Sequence, residues 1–503
     1  MSPTRKSVIF TSSTPIFNTL LISVSLAGML SSCTSAPQYQ TSVSSLNKSS
    51  SQIKEQASNY ASSLDKQGAL LPYTVIDSSL KNGLHPTKNL EIRNGGFGSD
   101  AAAHPTNLSQ FYALTDRGPN AKFKGRLGKG KLFPTPNYVP RIGLFELQAD
   151  GRIKKIKEIL LKDTKGHNIS GLPNTENLGG TGETPYDKYG NPILMDMSKP
   201  FNKVSNPIKT DVYGLDGEGL VALRDGTFWV SDEYGPHLVH FDANGREINR
   251  INAFEADSRN NIIVNGKRIL LPAEFANRRA NRGMEGLTIT PDQTTLVGIM
   301  QSTMDNPSKA VRKQDITRIV TINLVDGRIS QYLYKQQSPQ NSNSGIVALD
   351  NKTFLVIERD GTFQLKKPGA QKHIYKVTLD KATDLEAMTE TASLKQDKTL
   401  GLTLNGKTLE QIVTADNGSW QTLNKVGIQP VNKTLVLDAV KAFNYPHDKL
   451  EGIWLMGQGH IGLLNDDDFA TWSTKGVLEQ KYLDKDQTIQ DASRLYIATG
   501  IDY

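Results

Sequence analysis

A short acid–glycine–aliphatic start followed by a tight hairpin recurs along the chain. This repeat restricts the available folds more than any other feature. The copies are GEGLVALRDGTFWVSDEYG from Gly217, MEGLTITPDQTTLVGIMQS from Met284 and LEGIWLMGQGHIGLLNDDDF from Leu450. NSGIVALDNKTFLVIERDG from Asn343 and DLEAMTE from Asp384 are weaker relatives. In the first copy Asp225–Gly226 joins two apolar runs, a signal for a tight hairpin turn. A second segment alternates with it: FELQADGRIKKI from Phe145, VHFDANGREINRI from Val239 and TINLVDGRISQYL from Thr321. Starts at Glu218, Glu285 and Ser344 lie about 60–67 residues apart. Two hairpins per period make four strands, and four-stranded units at fixed spacing are the signature of a β-propeller. The runs LVAL and FWV are apolar on both strand faces, as blades packed between neighbours require. The prediction is an all-β chain of six four-stranded blades, with seven also compatible and a pair of β-sandwiches as the competing fold. The period exceeds the roughly 40–45 residues of a WD40 blade, so long loops are expected. One is the stretch 172–192, read as a loop over one face.

The N-terminus is organised differently. Arg5 and Lys6 precede an apolar stretch over about 16–30, which ends in Leu30–Ser31–Ser32–Cys33. This is the pattern of an export signal. Cys33, the chain's one cysteine, stands where a bacterial lipobox places the lipidated residue. Thr34 follows it rather than Asp, which by resemblance to Gram-negative lipoproteins favours the outer membrane. Residues 1–32 therefore read as a lipoprotein signal peptide. Residues 33–69, rich in Ser, Gln, Asn and Thr, read as a flexible tether, and 70–503 as the propeller. The expected location is exported and lipid-anchored, in the periplasm or at the cell surface. With one cysteine no internal disulfide can form.

A net charge of +7 carries no Lys/Arg stripe interleaved with aromatics, so nucleic acid is not an expected partner. The expectation is a monomer that meets the membrane through its lipid anchor only. The stretch GRLGKGKL (125–132) matches a phosphate-binding loop in spacing but ends in Leu132, where Ser or Thr would serve Mg²⁺. It is read as a basic solvated loop, with guidance of an anionic substrate by Lys122, Lys124, Arg126, Lys129 and Lys131 as the alternative. His237 and His240, three apart on a strand, point to opposite faces and cannot share one ion. No G-x-S-x-G elbow occurs, which excludes an α/β-hydrolase esterase.

Chemistry is expected where the inner strands open onto the channel. Glu218, Glu285 and Glu451 share the context E-G-[LI], and Glu386 has E-A-M. Outgoing strand ends add Asp116, Asp232, Glu233, Glu358, Asp360 and Asp466 to Asp468. Each could equally cap a turn, but acids repeated at one mouth suit a hard cation. Ca²⁺ accepts six to eight oxygens in flexible geometry, whereas Zn²⁺ favours N and S ligands. The expected metal ligands are Glu218, Glu285, Glu451, Asp232, Glu386 and Asp116. Arg117, Arg282 and Arg359, each beside an acid, are expected to clamp an anion bidentately. Glu218 joins them as the residue placed at the centre of the chemistry.

The segments TDRGP, EGLVALRDGTFWVSDEYGP, RGMEGLTITPD, IERD, DLEAM and LEGI…LLNDDDF occur in the order of the phytase-like family, "esterase-like activity of phytase". That family comprises secreted bacterial proteins related to β-propeller phytases. The resemblance covers about residues 92–469. It implies a propeller, export and calcium-dependent hydrolysis of a small anionic substrate such as a phosphate ester. The first blade departs from the family pattern, with GGFGSD at 95–100. Two rivals stay open: a metal-dependent lactonase or carboxylesterase on the same acids, and an envelope scaffold or binding propeller without turnover.

Overall fold

The computed structural model describes residues 68–413, 419–457 and 459–503. The expected signal peptide, Cys33 and nearly all of the expected tether lie outside these residues.

Each hairpin repeat except the weak relative DLEAMTE forms the inner half of a four-stranded antiparallel sheet. Blade 1 comprises Asp100–Ala103, Gln110–Leu114, Arg141–Leu147 and Ile153–Leu160, in that order from the axis outward. Blade 2 comprises Gly217–Ala222, Phe228–Asp232, Leu238–Phe241 and Glu247–Ile251. Blade 3 runs Met284–Ile289, Thr295–Met300, Ile316–Asn323 and Ile329–Lys335. Blade 4 runs Ser342–Ala348, Thr353–Arg359, Lys372–Thr378 and Asn432–Asp438. In blade 5, Gly452–Leu455, His460–Leu464 and Arg494–Thr499 are completed on the outside by Ala69–Leu70 from the other end of the chain. Ala69, assigned to the tether by composition, is already paired with Leu495.

The hydrophobic core follows from this arrangement. Blade faces are apolar on both sides, so each interface between neighbours holds its own cluster. Leu114 and Ile142 of blade 1 meet Leu220 and Phe228 of blade 2. Trp229 of blade 2 meets Met284 and Leu287 of blade 3. Ile299 and Ile319 meet Ile346 and Val356, and Leu355 and Ile357 meet Ile453 and Leu463. Trp454 and Leu464 of blade 5 then return to Phe111 and Phe145 of blade 1. The described residues therefore close a ring of five blades, not the six expected. Dividing the chain by the repeat overcounts because long connections consume it. Residues 115–140, 161–216, 252–283, 379–431 and 465–493 build no blade strand.

Antiparallel order places those connections. Links after the second and fourth strand of a blade emerge at the end where inner strands begin, so four of the five insertions surround one mouth of the channel. The exception, 379–431, joins the third and fourth strands of blade 4. It packs Leu385, Leu404 and Trp420 on Ile316 and Leu333 of blade 3. The expected phosphate-loop lookalike forms the hairpin Ala121–Gly125/Gly128–Leu132, paired on its far side with Thr184–Tyr186 from the expected long loop.

Candidate metal and anion site

The E-G-[LI] motif has a steric cause. A Cβ on Gly219 would lie 2.7 Å from the backbone nitrogen of Leu287, and one on Gly345 2.3 Å from the carbonyl of Glu451. Inner strands approach closely here, so the residue after the acid must be glycine. The acid itself sits in a β-bulge: pairing skips from Gly217 to Gly219, from Met284 to Gly286 and from Asn343 to Gly345. Bulges bend a strand and re-aim one side chain. At this position the five blades present Ser99, Glu218, Glu285, Ser344 and Glu451. In blade 1 Asp100 takes the glycine position, which accounts for the departure GGFGSD. Its carboxylate accepts the N–H of Ala101 and, at 2.7 Å, the N–H of Leu220 on blade 2. The first blade is thus stitched to its neighbour rather than contributing an acid to the ring.

A cavity of about 590 Å³ opens above this ring. Its walls include Asp116, Glu218, Glu233, Glu285 and Glu451, and the cations Arg117, Lys131, Arg279, Arg282, Arg312, Arg359 and Lys449. Side-chain oxygens of Asp116, Asp216 and Glu218, all buried, lie within 4.8 Å of one another. Oxygens held 2.3–2.6 Å from one calcium ion lie at most about 5 Å apart, so this set fits around a single ion. Burial, then the charges of Glu285, Asp216, Glu451 and Glu233, pushes Glu218 far above the usual carboxylate range. Burial and the charges of Asp216 and Asp466 do the same to Asp116. No hydrogen bond or ion pair from a described residue reaches the Glu218 carboxylate, and Glu285 Oε2 and Glu451 Oε2 are buried without a hydrogen-bond donor. Buried carboxylates without partners bind a proton or a cation. The donor set is all oxygen and suits a hard divalent ion.

The arginines divide into two kinds. Arg117 pairs with Asp216 at 2.8 Å and with Glu183 at 3.3 Å. Arg359 is bonded to Glu451 and lies 3.8 Å from Glu285. Gln301 Nε2 donates to Glu285 at 2.6 Å and to Glu233 at 3.0 Å. Arg312 is held by Asp305 at 2.6 Å. Arg282 donates only to Ser342 Oγ, at 3.2 Å, and neither Arg282 nor Arg279 has a carboxylate partner among the described residues. Desolvation, the largest influence on each, pulls both below the usual arginine value. Both are half-buried and face the cavity, as an anion site requires.

Of the expected residues, the mouth therefore gathers Glu218, Glu285, Glu451, Asp116, Arg117, Arg282 and Arg359. Asp232 is not among them. It accepts the N–H groups of Asp216 at 2.8 Å, Gly235 at 3.0 Å and Tyr234 at 3.3 Å, which makes it a turn acceptor. Burial, the dominant influence, raises it to about 7 against those bonds. Glu386 is also elsewhere. DLEAM forms the 3₁₀ turn Leu385–Ala387 on the outside of blade 3, where Glu386 accepts from Gln331. Its resemblance to an inner strand is one of letters only. The two histidines separate as predicted: His237 bonds Leu178 O and Asn252, and His240 bonds Thr227 and Asn249. Sequence reasoning missed Asp216, Arg279, Arg312 and Lys449, whereas Lys131 of the basic loop does line the cavity. Asp216 stands two residues before Glu218, and Arg279 lies in the basic run RRANR (278–282), so both carried a local signal. Arg312 carried none.

A closed ring of four-stranded blades with an acid-lined mouth defines a β-propeller. The family model "Phytase-like: Esterase-like activity of phytase" matches residues 92–469, and the chain belongs to that family. A protein of Arthroderma benhamiae described as an "Uncharacterized secreted protein" is 27% identical over 319 residues, covering 53% of this chain and 59% of that one. The chain thus spans less than two thirds of that relative's length. Similar solved structures include a PQQ-bound aldose sugar dehydrogenase from Streptomyces coelicolor (11% identity, 85% of this chain and 98% of that one, TM-score 0.28). Another is a periplasmic gluconolactonase from Pseudomonas aeruginosa (9% identity, 84% and 94%, TM-score 0.28). At these TM-scores neither likeness carries an inference about activity.

Proposed function

We propose that the protein is a calcium-dependent phosphoester hydrolase working at the channel mouth. The observation that carries this reading is the pairing, in one cavity, of an oxygen-only acid cluster with two arginines that have no carboxylate partner. Asp116, Asp216 and Glu218 would hold the ion, which when bound neutralises phosphate charge and lowers the pKa of a bound water. Arg279 and Arg282 orient the phosphate oxygens, and their fork geometry suits bidentate contacts. Arg117 fixes Asp216, Gln301 fixes Glu233 and Glu285, and Arg359 fixes Glu451. Burial pushes Glu451 up to about 8 against the pull of Lys449 and Arg359, so it can hold a proton near neutral pH. The arginines of the expected clamp all line the cavity, which favours phosphate over a carboxylester or lactone.

The test is to assay the purified full chain on phytate, a generic phosphomonoester and a short-chain carboxylester, each with calcium and with chelator. Calcium-dependent phosphate release is expected, and Arg282→Ala should raise KM for the phosphomonoester about tenfold or more. Turnover of the carboxylester alone would overturn the reading in favour of an esterase. No turnover on any substrate, with a calcium-dependent rise in melting temperature, would leave a binding or scaffold protein.

Location belongs to the same proposal: export and anchoring to the outer membrane through lipidated Cys33. A clickable fatty-acid analogue should label the wild type in vivo and not Cys33→Ser.

A further inference from the structure

The insertion between blades 1 and 2 carries a compact loop at the mouth end. Buried Asn206 braces it, donating through Nδ2 to the carbonyls of Asp196 at 3.0 Å and of Lys199 and Pro200 at 3.1 Å. Its backbone is closed by Met195 N–H to Pro207 O at 3.1 Å. On this braced frame Met195, Met197 and Val204 are 62%, 57% and 90% exposed. Tyr189, just before it, is 73% exposed. Single exposed apolar residues are ordinary, but four within sixteen positions, three of them on one hydrogen-bonded loop, are a local concentration along the chain. The neighbouring charge is positive. Lys203 is exposed and has no carboxylate partner among the described residues, and the Lys199 side chain stays 69% exposed while paired with Asp196 at 2.9 Å.

We propose that this loop docks on an anionic lipid bilayer, so that the protein meets the membrane through its fold as well as through a lipid at Cys33. Exposed methionine, valine and tyrosine enter the interfacial zone while lysines pair with acidic headgroups, the chemistry of peripheral membrane contact. The excess of positive charge acts in the same direction, +7 on the whole chain and +5 without Arg5 and Lys6 of residues 1–32.

Because Cys33 is the chain's one cysteine, Cys33→Ser with Val204→Cys leaves a single site for an environment-sensitive fluorophore. A matched control carries the label at Val325→Cys, 68% exposed in the turn between the third and fourth strands of blade 3. With vesicles of phosphatidylethanolamine and phosphatidylglycerol, brominated acyl chains should quench the label at 204 and leave the label at 325 unchanged. Adding Lys199→Gln and Lys203→Gln should weaken partitioning roughly 30-fold, at about fivefold per cation near the surface. An unquenched label at 204 on protein that floats with the vesicles would overturn the proposal. So would equal quenching in phosphatidylcholine vesicles together with indifference to the lysine changes. A spectral shift that grows with protein concentration without vesicles would assign the loop to a second copy instead.

Discussion

Buried acids around Lys481 and buried acids around Glu218 line the same mouth and meet opposite electrostatic fates. Lys481, its side chain fully buried, places Nζ 2.6 Å from Asp468, 2.9 Å from Asp448 and 3.4 Å from Asp491. Lys449 adds a second ammonium, bonded to Asp466 and 2.8 Å from Asp468. Against the upward push of burial, these two lysines hold Asp468 far below the usual carboxylate range. Around Glu218 the same burial is compounded by four further carboxylates, and no cation among the described residues is bonded to it. The first crowd draws its cations from the chain itself, although burial still raises Asp466 and lifts Asp467 to about 7. The second must take its positive charge from solution, as protons or as a metal ion, which is why a site is assigned to blades 1 and 2 and not to the acid-rich NDDDF segment.

The largest expected effect tests the side paired within the chain. Lys481→Met should cost about 3–5 kcal/mol in denaturant unfolding, with or without chelator, because Asp448, Asp468 and Asp491 all lose a buried ammonium. A variant as stable as the wild type would break the comparison.

Next comes the Glu218 side. Calcium at a hundredfold excess over Kd should stabilise the wild type by about 2.7 kcal/mol in thermal melts. Glu218→Gln should lose most of that gain. Its metal-free melting point should be no lower than that of the wild type, since one of several crowded charges is gone. An undiminished calcium shift would remove Glu218 from the ligand set.

Asp232→Asn sharpens the contrast between acids that bind cations and acids that bind backbone. It should cost about 1–3 kcal/mol through weakened acceptance of three N–H groups. Calcium affinity, measured by titration calorimetry, should not change.

The smallest effect concerns pH. Burial and then Arg250 and Arg259 hold His237 well below its usual value, with Asp257 the opposing charge. Its Nδ1 accepts from Asn252 and its Nε2–H donates to Leu178 O, so only the neutral ring fits. The unfolded chain takes up this proton near pH 6.5 and the folded chain does not. Stability is therefore full above about 6.5 and falls as pH drops below it, by up to about 1.4 kcal/mol per pH unit. His237→Gln should flatten that limb; an unchanged slope would assign the acid sensitivity to other groups.

Much of the fold was legible because it rests on short-range signals. The turn at Asp225–Gly226, with Gly226 at φ 86°, and the two-faced apolar runs LVAL and FWV specify a buried hairpin by themselves. The blade number was less legible, since nothing local distinguishes an insertion such as 161–216 from a degenerate repeat. Glu386 shows the limit of letter patterns: DLEAM resembles LEGI, yet it lacks the glycine that close strand approach demands. Asp232 shows another, for an acid at a strand end is equally suited to a channel and to a turn.

The sequence by itself determined which residues stand at the axis. The glycine after each acid is required by sterics, and the bulge that holds the acid re-aims Glu218 and Glu285. Only the tertiary structure decided which acids remain without a cation, because that depends on distant partners. Arg117 reaches Asp216 from 99 positions away and Arg359 reaches Glu451 from 92, whereas among the described residues no hydrogen bond or ion pair reaches the Glu218 carboxylate. Charge balance in a buried site is a sum over neighbours in space, and that sum cannot be taken along the chain.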